Sequence, residues 1–171
     1  MSNFVESIRQ TLTATVYVRV WRRRITLKLV GSDRLIDDVP VLALKADHGK
    51  TMVAVVGRPA ETVVQSDSSL KLVAPFDHPR VPVADFTCAE KVLFFFLRQL
   101  FAGRIFKPMM AMVLQPMESF EGGITQIERR ALLELGENCG ARRCYVYTGK
   151  ELTDEEIFQM LKSQKPDPVR L

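Results

Sequence analysis

Arginine is the residue type whose grouping in this chain could bind a ligand. Arg22, Arg23 and Arg24 are consecutive, and Arg19 precedes them on the same segment. Guanidinium groups attract phosphate and carboxylate oxygens and can bind them through paired hydrogen bonds. The residues that we predict to contact an anion are Arg19, Arg22 and Arg24.

The basic residues do not predict a nucleic-acid-binding protein, although the net charge is +4 and the pI is about 9.1. Besides the run at 22–24, basic pairs lie at 129–130 and 142–143. None of these groups is interleaved with stacking aromatic residues, and no recognised nucleic-acid motif accompanies them. We interpret them as solvated faces of strands and helices, and we expect no nucleic-acid partner.

Nucleophilic and metal-binding residues are scattered along the chain. An odd number of cysteines without framework spacing favours reduced, buried thiols, and two distant histidines are a poor basis for a zinc site. We therefore predict no catalytic residue, no metal site and no cofactor. The residues concerned are Cys88, Cys139, Cys144, His48 and His78.

Length and composition are typical of one globular domain. The chain has 171 residues, of which 47% are hydrophobic and 26% are charged, so it can bury a substantial core. No stretch approaches the roughly 20 apolar residues that span a bilayer, and the first residues lack the features of a signal peptide. We expect a cytoplasmic protein.

The first twelve residues have the pattern of a short amphipathic helix. Its apolar residues are predicted to contact a membrane surface peripherally, or else to pack on the domain or fray. Arg9 is the one basic residue there and Glu6 offsets it, which predicts weak binding at best. We expect one folded domain over residues 13–163 and a loose tail over 164–171. The apolar residues are Phe4, Val5, Ile8 and Leu12.

Strands are predicted first, followed by alternating helices and strands. Alternating apolar residues indicate a hairpin over residues 14–30, and shorter apolar runs indicate strands at 39–44, 51–56, 70–73, 109–114 and 143–147. Three Thr-x-x-Glu capping boxes, beginning at Thr87, Thr125 and Thr153, predict three helix starts. This order predicts an α/β fold with a mixed sheet and flanking helices.

Three stretches of this sequence resemble the MreB family of actin-like, rod-shape-determining proteins. Residues 83–93 resemble that family's helix entry I-A-D-F…E-K-M-L. Gly123–Ala131 is similar to its segment G-x-T-x-V-E-R-R-A, and Gly140–Arg142 matches G-A-R. The resemblance covers most of the chain. It implies that residues 13–163 form the first lobe of the actin-like, ribonuclease H-like ATPase fold, and that the apolar stripe of the first twelve residues lies on the inner membrane.

The chain departs from the family at the residues that would carry out ATP chemistry. Where the resemblance implies a phosphate loop D-L-G-T, this sequence has Tyr17 in place of the acid and Arg19 in place of the glycine. Gly149 stands where a water-activating glutamate is implied. Glu151 is two residues further on, which moves a carboxylate by about 6–7 Å along a strand end. We also expect the second lobe of the fold to be missing, and hence no ATPase activity.

Four hypotheses follow from these residues and the resemblance. The first is a non-catalytic partner or regulator of the cell-shape cytoskeleton, contacting full-length MreB or a second copy of itself. The second is an interaction module of another envelope or pilus-assembly machine. The third is a nucleotide or anion sensor built on the arginine segment, and the fourth, ranked last, is nucleic-acid binding.

Overall fold

Eight strands and four helices form the described part of the chain, which comprises residues 13–47, 49–104 and 109–163 of a computed structural model. The predicted membrane contacts Phe4, Val5, Ile8 and Leu12, together with His48, lie outside these residues. The elements are β1 (Thr13–Val20), β2 (Ile25–Leu29), β3 (Leu35–Asp38), β4 (Leu42–Asp47), β5 (Lys50–Val56), α1 (Arg58–Ser66), β6 (Leu70–Val73), α2 (Phe86–Leu100), β7 (Met109–Pro116), α3 (Gln126–Asn138), β8 (Ala141–Val146) and α4 (Asp154–Ser163).

A five-stranded mixed sheet has the order β3-β2-β1-β7-β8. The short turn between β1 and β2 makes these strands antiparallel, as predicted for the hairpin. β7 runs parallel to both β1 and β8, and α3 provides the crossover between β7 and β8. The prediction of an α/β fold with a mixed sheet is therefore confirmed.

A second, antiparallel sheet has the order β5-β4-β6. The strand predicted at 39–44 corresponds to β4, which begins later, at Leu42, and lies in the second sheet, whereas β3, which ends at Asp38 in the first sheet, has no counterpart in the sequence prediction. Pro40 lacks the amide needed for a ladder hydrogen bond. Asp38 accepts hydrogen bonds from the amides of Val39 (2.7 Å) and Arg58 (2.8 Å), which turns the chain away from the first sheet.

Two helix starts differ from the sequence prediction and two agree with it. α1 was not predicted, because Gly57-Arg58-Pro59 resembles a stop, whereas proline in a first turn is typical of a helix start. α2 is capped by Asp85, which accepts from the Cys88 amide at 2.9 Å, so the predicted cap at Thr87 is wrong. The capping boxes beginning at Thr125 and Thr153 are both confirmed.

Helices cover both faces of the five-stranded sheet. Val16 and Val18 of β1 point into the main core, which also contains the buried residues of α2 and α3. Tyr17 lies on the opposite face, where it packs with Val113 and with Ile157 of α4. The structure thus confirms that the segment after β8 places a helix on the sheet.

The capping box of α4 makes its stability depend on pH. The Lys150 ammonium group donates to Glu156 at 2.7 Å, and this bond and the Thr153 amide lower the pKa of Glu156 from 4.5 to about 2. Because the folded pKa is the lower one, the carboxylate stabilises the fold above about pH 4.5, and this contribution is lost as the pH falls towards 2.

We therefore expect Glu156→Gln to destabilise the protein at pH 6 and to have progressively less effect as the pH approaches 2. Urea unfolding at pH 6, 4, 3 and 2 measures the difference from the wild type. Glu155→Gln, at the exposed neighbouring residue, is the matched control. A Glu156→Gln effect that stays constant across this range would contradict the assignment.

Candidate functional site

The ends of the three parallel strands meet beside the β1–β2 turn. The Met117 amide donates to Val20 O at 2.8 Å, which keeps the segment after β7 next to β1, and the Tyr147 amide donates to Leu114 O at 2.9 Å, which keeps the end of β8 next to β7. The carboxyl ends of parallel strands are where α/β sheets bind ligands. We call this region the strand-end site and define it by Tyr17, Arg19, Gln115, Gly149 and Glu151.

A buried hydrogen-bond network occupies the interior of the strand-end site. The Tyr17 hydroxyl donates to Gln115 Oε1 and accepts from the Leu152 amide at 3.1 Å. Gln115 Nε2 donates to Gly149 O at 2.8 Å. Tyr17 is 2% exposed and Gln115 is 1% exposed, and burial raises the pKa of Tyr17. A neutral phenol and an amide thus connect the ends of β1 and β7 with the segment after β8.

Arg19 covers the outer side of this network. Its guanidinium group donates to Thr26 Oγ1 at 2.9 Å, forms an ion pair with Glu151, and lies 5.5 Å from the centre of the Tyr17 ring. The side chain is 14% exposed. Arg19 therefore fills the space above Tyr17, and its positive charge is balanced by Glu151.

The three arginines predicted to contact an anion are not brought together on one ligand. Arg19 pairs with Glu151, Arg22 with Asp77, and Arg24 with Asp37. The bond from Arg24 lowers the pKa of Asp37. An external anion would have to compete with these carboxylates, and contact with one stays a prediction.

The three cysteines are all buried, and none of them forms a disulfide. Burial raises the pKa of Cys88 to about 11 and that of Cys144 to about 12, so neither provides a thiolate near neutral pH. Within residues 13–47, 49–104 and 109–163, no group of three or more histidine, cysteine or acidic residues could hold a metal ion. None of the helices described is long and apolar enough to cross a bilayer.

We expect a thiol reagent such as dithionitrobenzoate to modify the folded protein at pH 8 much more slowly than the protein in 6 M urea. The physical reason is that neither solvent nor the reagent reaches the buried sulfur atoms. The rate of colour development measures the difference, and an added exposed cysteine, Ser119→Cys, is the positive control. Three sites that react as fast as this control in native buffer would contradict the burial.

Similarity to a protein-family model shows the family of this chain. The protein-family model described as MreB/Mbl protein matches residues 25–153, which is most of the chain. The chain belongs to the MreB/Mbl family. The match begins at the first residue of β2, so Tyr17 and Arg19 precede the matched residues.

Two curated relatives are similar to this MreB-family chain. It is 29% identical over 115 residues to the cell shape-determining protein MreB of Haemophilus influenzae, covering 66% of this chain and 31% of the relative. It is 27% identical over 119 residues to that of Pasteurella multocida, covering 68% and 32%. The chain thus spans about a third of the length of the curated relatives that it matches.

Solved structures support the actin-like fold. MreB5 of Spiroplasma citri bound to ADP has a TM-score of 0.62 at 15% identity, and the similarity covers 80% of this chain and 38% of that one. A non-polymerising mutant of MamK bound to AMPPNP has a TM-score of 0.61 at 14% identity, with 80% and 41% covered. These similarities establish the fold predicted from the resemblance.

Sequence reasoning missed two residues of the strand-end site network. Gln115 and Leu152 are not near Tyr17 in the sequence, being separated from it by 98 and 135 positions. One signal was available for Gln115, since it is a polar residue that directly follows the apolar run Met109–Leu114. A buried polar residue at a strand end requires partners.

Proposed function

We propose that this chain is a non-catalytic member of the MreB family, acting through protein contacts in the cell-shape cytoskeleton and not through ATP hydrolysis. The observation that carries the proposal is the buried contact between Tyr17 and Gln115. Tyr17 occupies the position at which the resemblance implies a metal-binding acid. A phenol that burial keeps protonated does not replace a carboxylate beside a cation.

The residues of the strand-end site do not fit a nucleotide phosphate with its cation. Backbone amides approach a phosphate closely where a glycine leaves room, but the Arg19 side chain fills that position. Glu151 is the acid nearest in sequence to the implied water-activating position at Gly149, and it is paired with Arg19. The carbonyl of Gly149 accepts from Gln115, so this stretch serves the internal network.

A role through protein contacts is supported by what the chain retains. The segment Gly123–Ala131, the most specific part of the resemblance, forms the entry to α3 and keeps its complete capping box. Ile127 on this entry is 82% exposed. The chain therefore keeps the family's α3 entry as an exposed surface, while the residues that the resemblance implies for ATP binding are replaced in the strand-end site.

Cosedimentation with purified full-length MreB tests this proposal. We expect the chain to pellet with assembled MreB in a saturable manner, and to do so equally whether the chain is first incubated with ATP or with buffer. Ile127→Asp should weaken pelleting if the α3 entry is the contact, whereas Asp33→Ala, at an exposed turn residue, is the control. Binding to pilus or other envelope components in place of MreB would favour the second hypothesis and overturn this one.

Peripheral membrane contact is a separate part of the same proposal. The apolar residues Phe4, Val5, Ile8 and Leu12 would insert at the surface of the inner membrane. Flotation with liposomes that contain anionic lipids compares the wild type with Phe4→Glu. We expect weaker flotation of the variant, and equal flotation would reject the membrane contact.

A further inference from the structure

Two guanidinium groups of the β1–β2 turn converge on one carboxylate. Arg22 Nε and Nη2 lie 3.0 and 2.9 Å from Asp77 Oδ1, and Arg23 Nη1 lies 3.5 Å from Asp77 Oδ2. Each carboxylate oxygen thus faces a different arginine. Two neighbouring phosphate oxygens would present a similar pair of acceptors to the same two side chains.

The rest of the chain presents Asp77 to these arginines. Its neighbour Phe76 is 2% exposed in the main core, and the Asp77 amide donates to Ala74 O at 3.2 Å. The Asp77 side chain is 25% exposed. A carboxylate tethered in this way has a high effective concentration at the arginines, so a free anion competes poorly with it.

The same turn also reaches the second sheet. Arg23 Nη2 lies 3.0 Å from Glu61 Oε1, and Glu61 is in the first turn of α1. Arg23 therefore links the hairpin of the first sheet to the helix that packs on β4, β5 and β6, while Asp77 links it to the segment between β6 and α2.

We propose that Arg22 and Arg23 form an oxyanion site whose occupant is the chain's own Asp77. This internal ligand fastens the β1–β2 turn to the segment after β6 and, together with the bond to Glu61, to α1. Removal of the Asp77 carboxylate opens the site to inorganic phosphate. The inference is independent of the proposed function, since it concerns arginines outside the buried network of Tyr17 and Gln115.

Phosphate rescue of Asp77→Ala tests this inference. The variant should melt about 2–4 °C below the wild type, as expected for loss of a partly exposed ion-pair network worth about 1 kcal/mol. Inorganic phosphate, titrated against chloride at constant ionic strength, should recover this loss. The wild type and the charge-matched control Asp33→Ala should shift much less, because Asp77 already occupies the site in both proteins.

Two further measurements distinguish specific phosphate binding at Arg22 and Arg23 from general stabilisation of the protein by phosphate. The double variant Arg22→Gln/Asp77→Ala lacks one side of the site and should show no rescue. Hydrogen exchange of the α1 amides should speed up in Asp77→Ala and slow again with phosphate. Equal phosphate shifts in all four proteins, or an Asp77→Ala melting temperature equal to that of the wild type, would overturn the inference.

Discussion

Replacing Ile157 by alanine is expected to lower the free energy of unfolding by about 2–5 kcal/mol. Ile157 is the fully buried residue of α4, and it packs against Tyr17, Val113 and Tyr145 on the sheet face opposite the main core. Alanine leaves a cavity between the helix and the sheet that the surrounding side chains only partly fill. Urea unfolding followed by circular dichroism measures the change.

The matched control for this prediction is Ile127→Ala, which removes the same atoms from a side chain that is 82% exposed. It should change the free energy of unfolding by less than about 0.5 kcal/mol. Truncation after Gly149 removes α4 altogether and should cause a large drop in melting temperature or insolubility. Wild-type melting of the truncated chain, or equal effects of the two isoleucine variants, would show that α4 does not stabilise the sheet.

Gln115→Ala is expected to destabilise the protein by about 2–4 kcal/mol. The substitution leaves the Tyr17 hydroxyl without its acceptor and Gly149 O without the Gln115 donor, and it also creates a cavity in a site that excludes solvent. Chemical unfolding gives the magnitude. Hydrogen exchange of the Leu152 amide reports whether the segment after β8 separates from β1.

A double-mutant cycle isolates the contact between the two side chains. Tyr17→Phe and Gln115→Leu should each be destabilising, because each leaves a buried polar partner unsatisfied, while the combined variant should lose less than the sum of the two. Gln99→Ala, at an exposed glutamine of α2, is the control for Gln115→Ala, because it removes the same atoms from an exposed side chain. Strictly additive effects would mean that the two groups do not interact.

Local sequence signals predicted the elements whose stability is local. The capping boxes beginning at Thr125 and Thr153 complete themselves within three residues, so their geometry follows from the sequence. The box predicted at Thr87 failed because Asp85, two residues earlier, caps the same helix. When two candidate N-cap residues lie this close together, tertiary packing determines which of them caps the helix, and local sequence patterns do not contain that information.

Edge strands and long-range contacts were harder to predict. β3 is four residues long, ends in two aspartates and lies at a sheet edge, so it lacks the apolar alternation that marks a buried strand. The residues replacing the family's acid and glycine were found from the resemblance. Their new partners Gln115 and Glu151 come from more than 95 positions away, and only the fold brings them together.

Isothermal titration calorimetry with Mg-ATP, and separately with Mg-ADP, tests the central claim that the strand-end site does not bind a nucleotide. We predict no saturable heat for the wild type and no rise in its melting temperature. A ligand at 100 times its dissociation constant would add about 2.7 kcal/mol of stability, so binding could not pass unnoticed. Saturable one-to-one binding that is abolished by Arg19→Ala would contradict the account, because the nucleotide would then occupy the site assigned to Tyr17, Gln115 and Glu151.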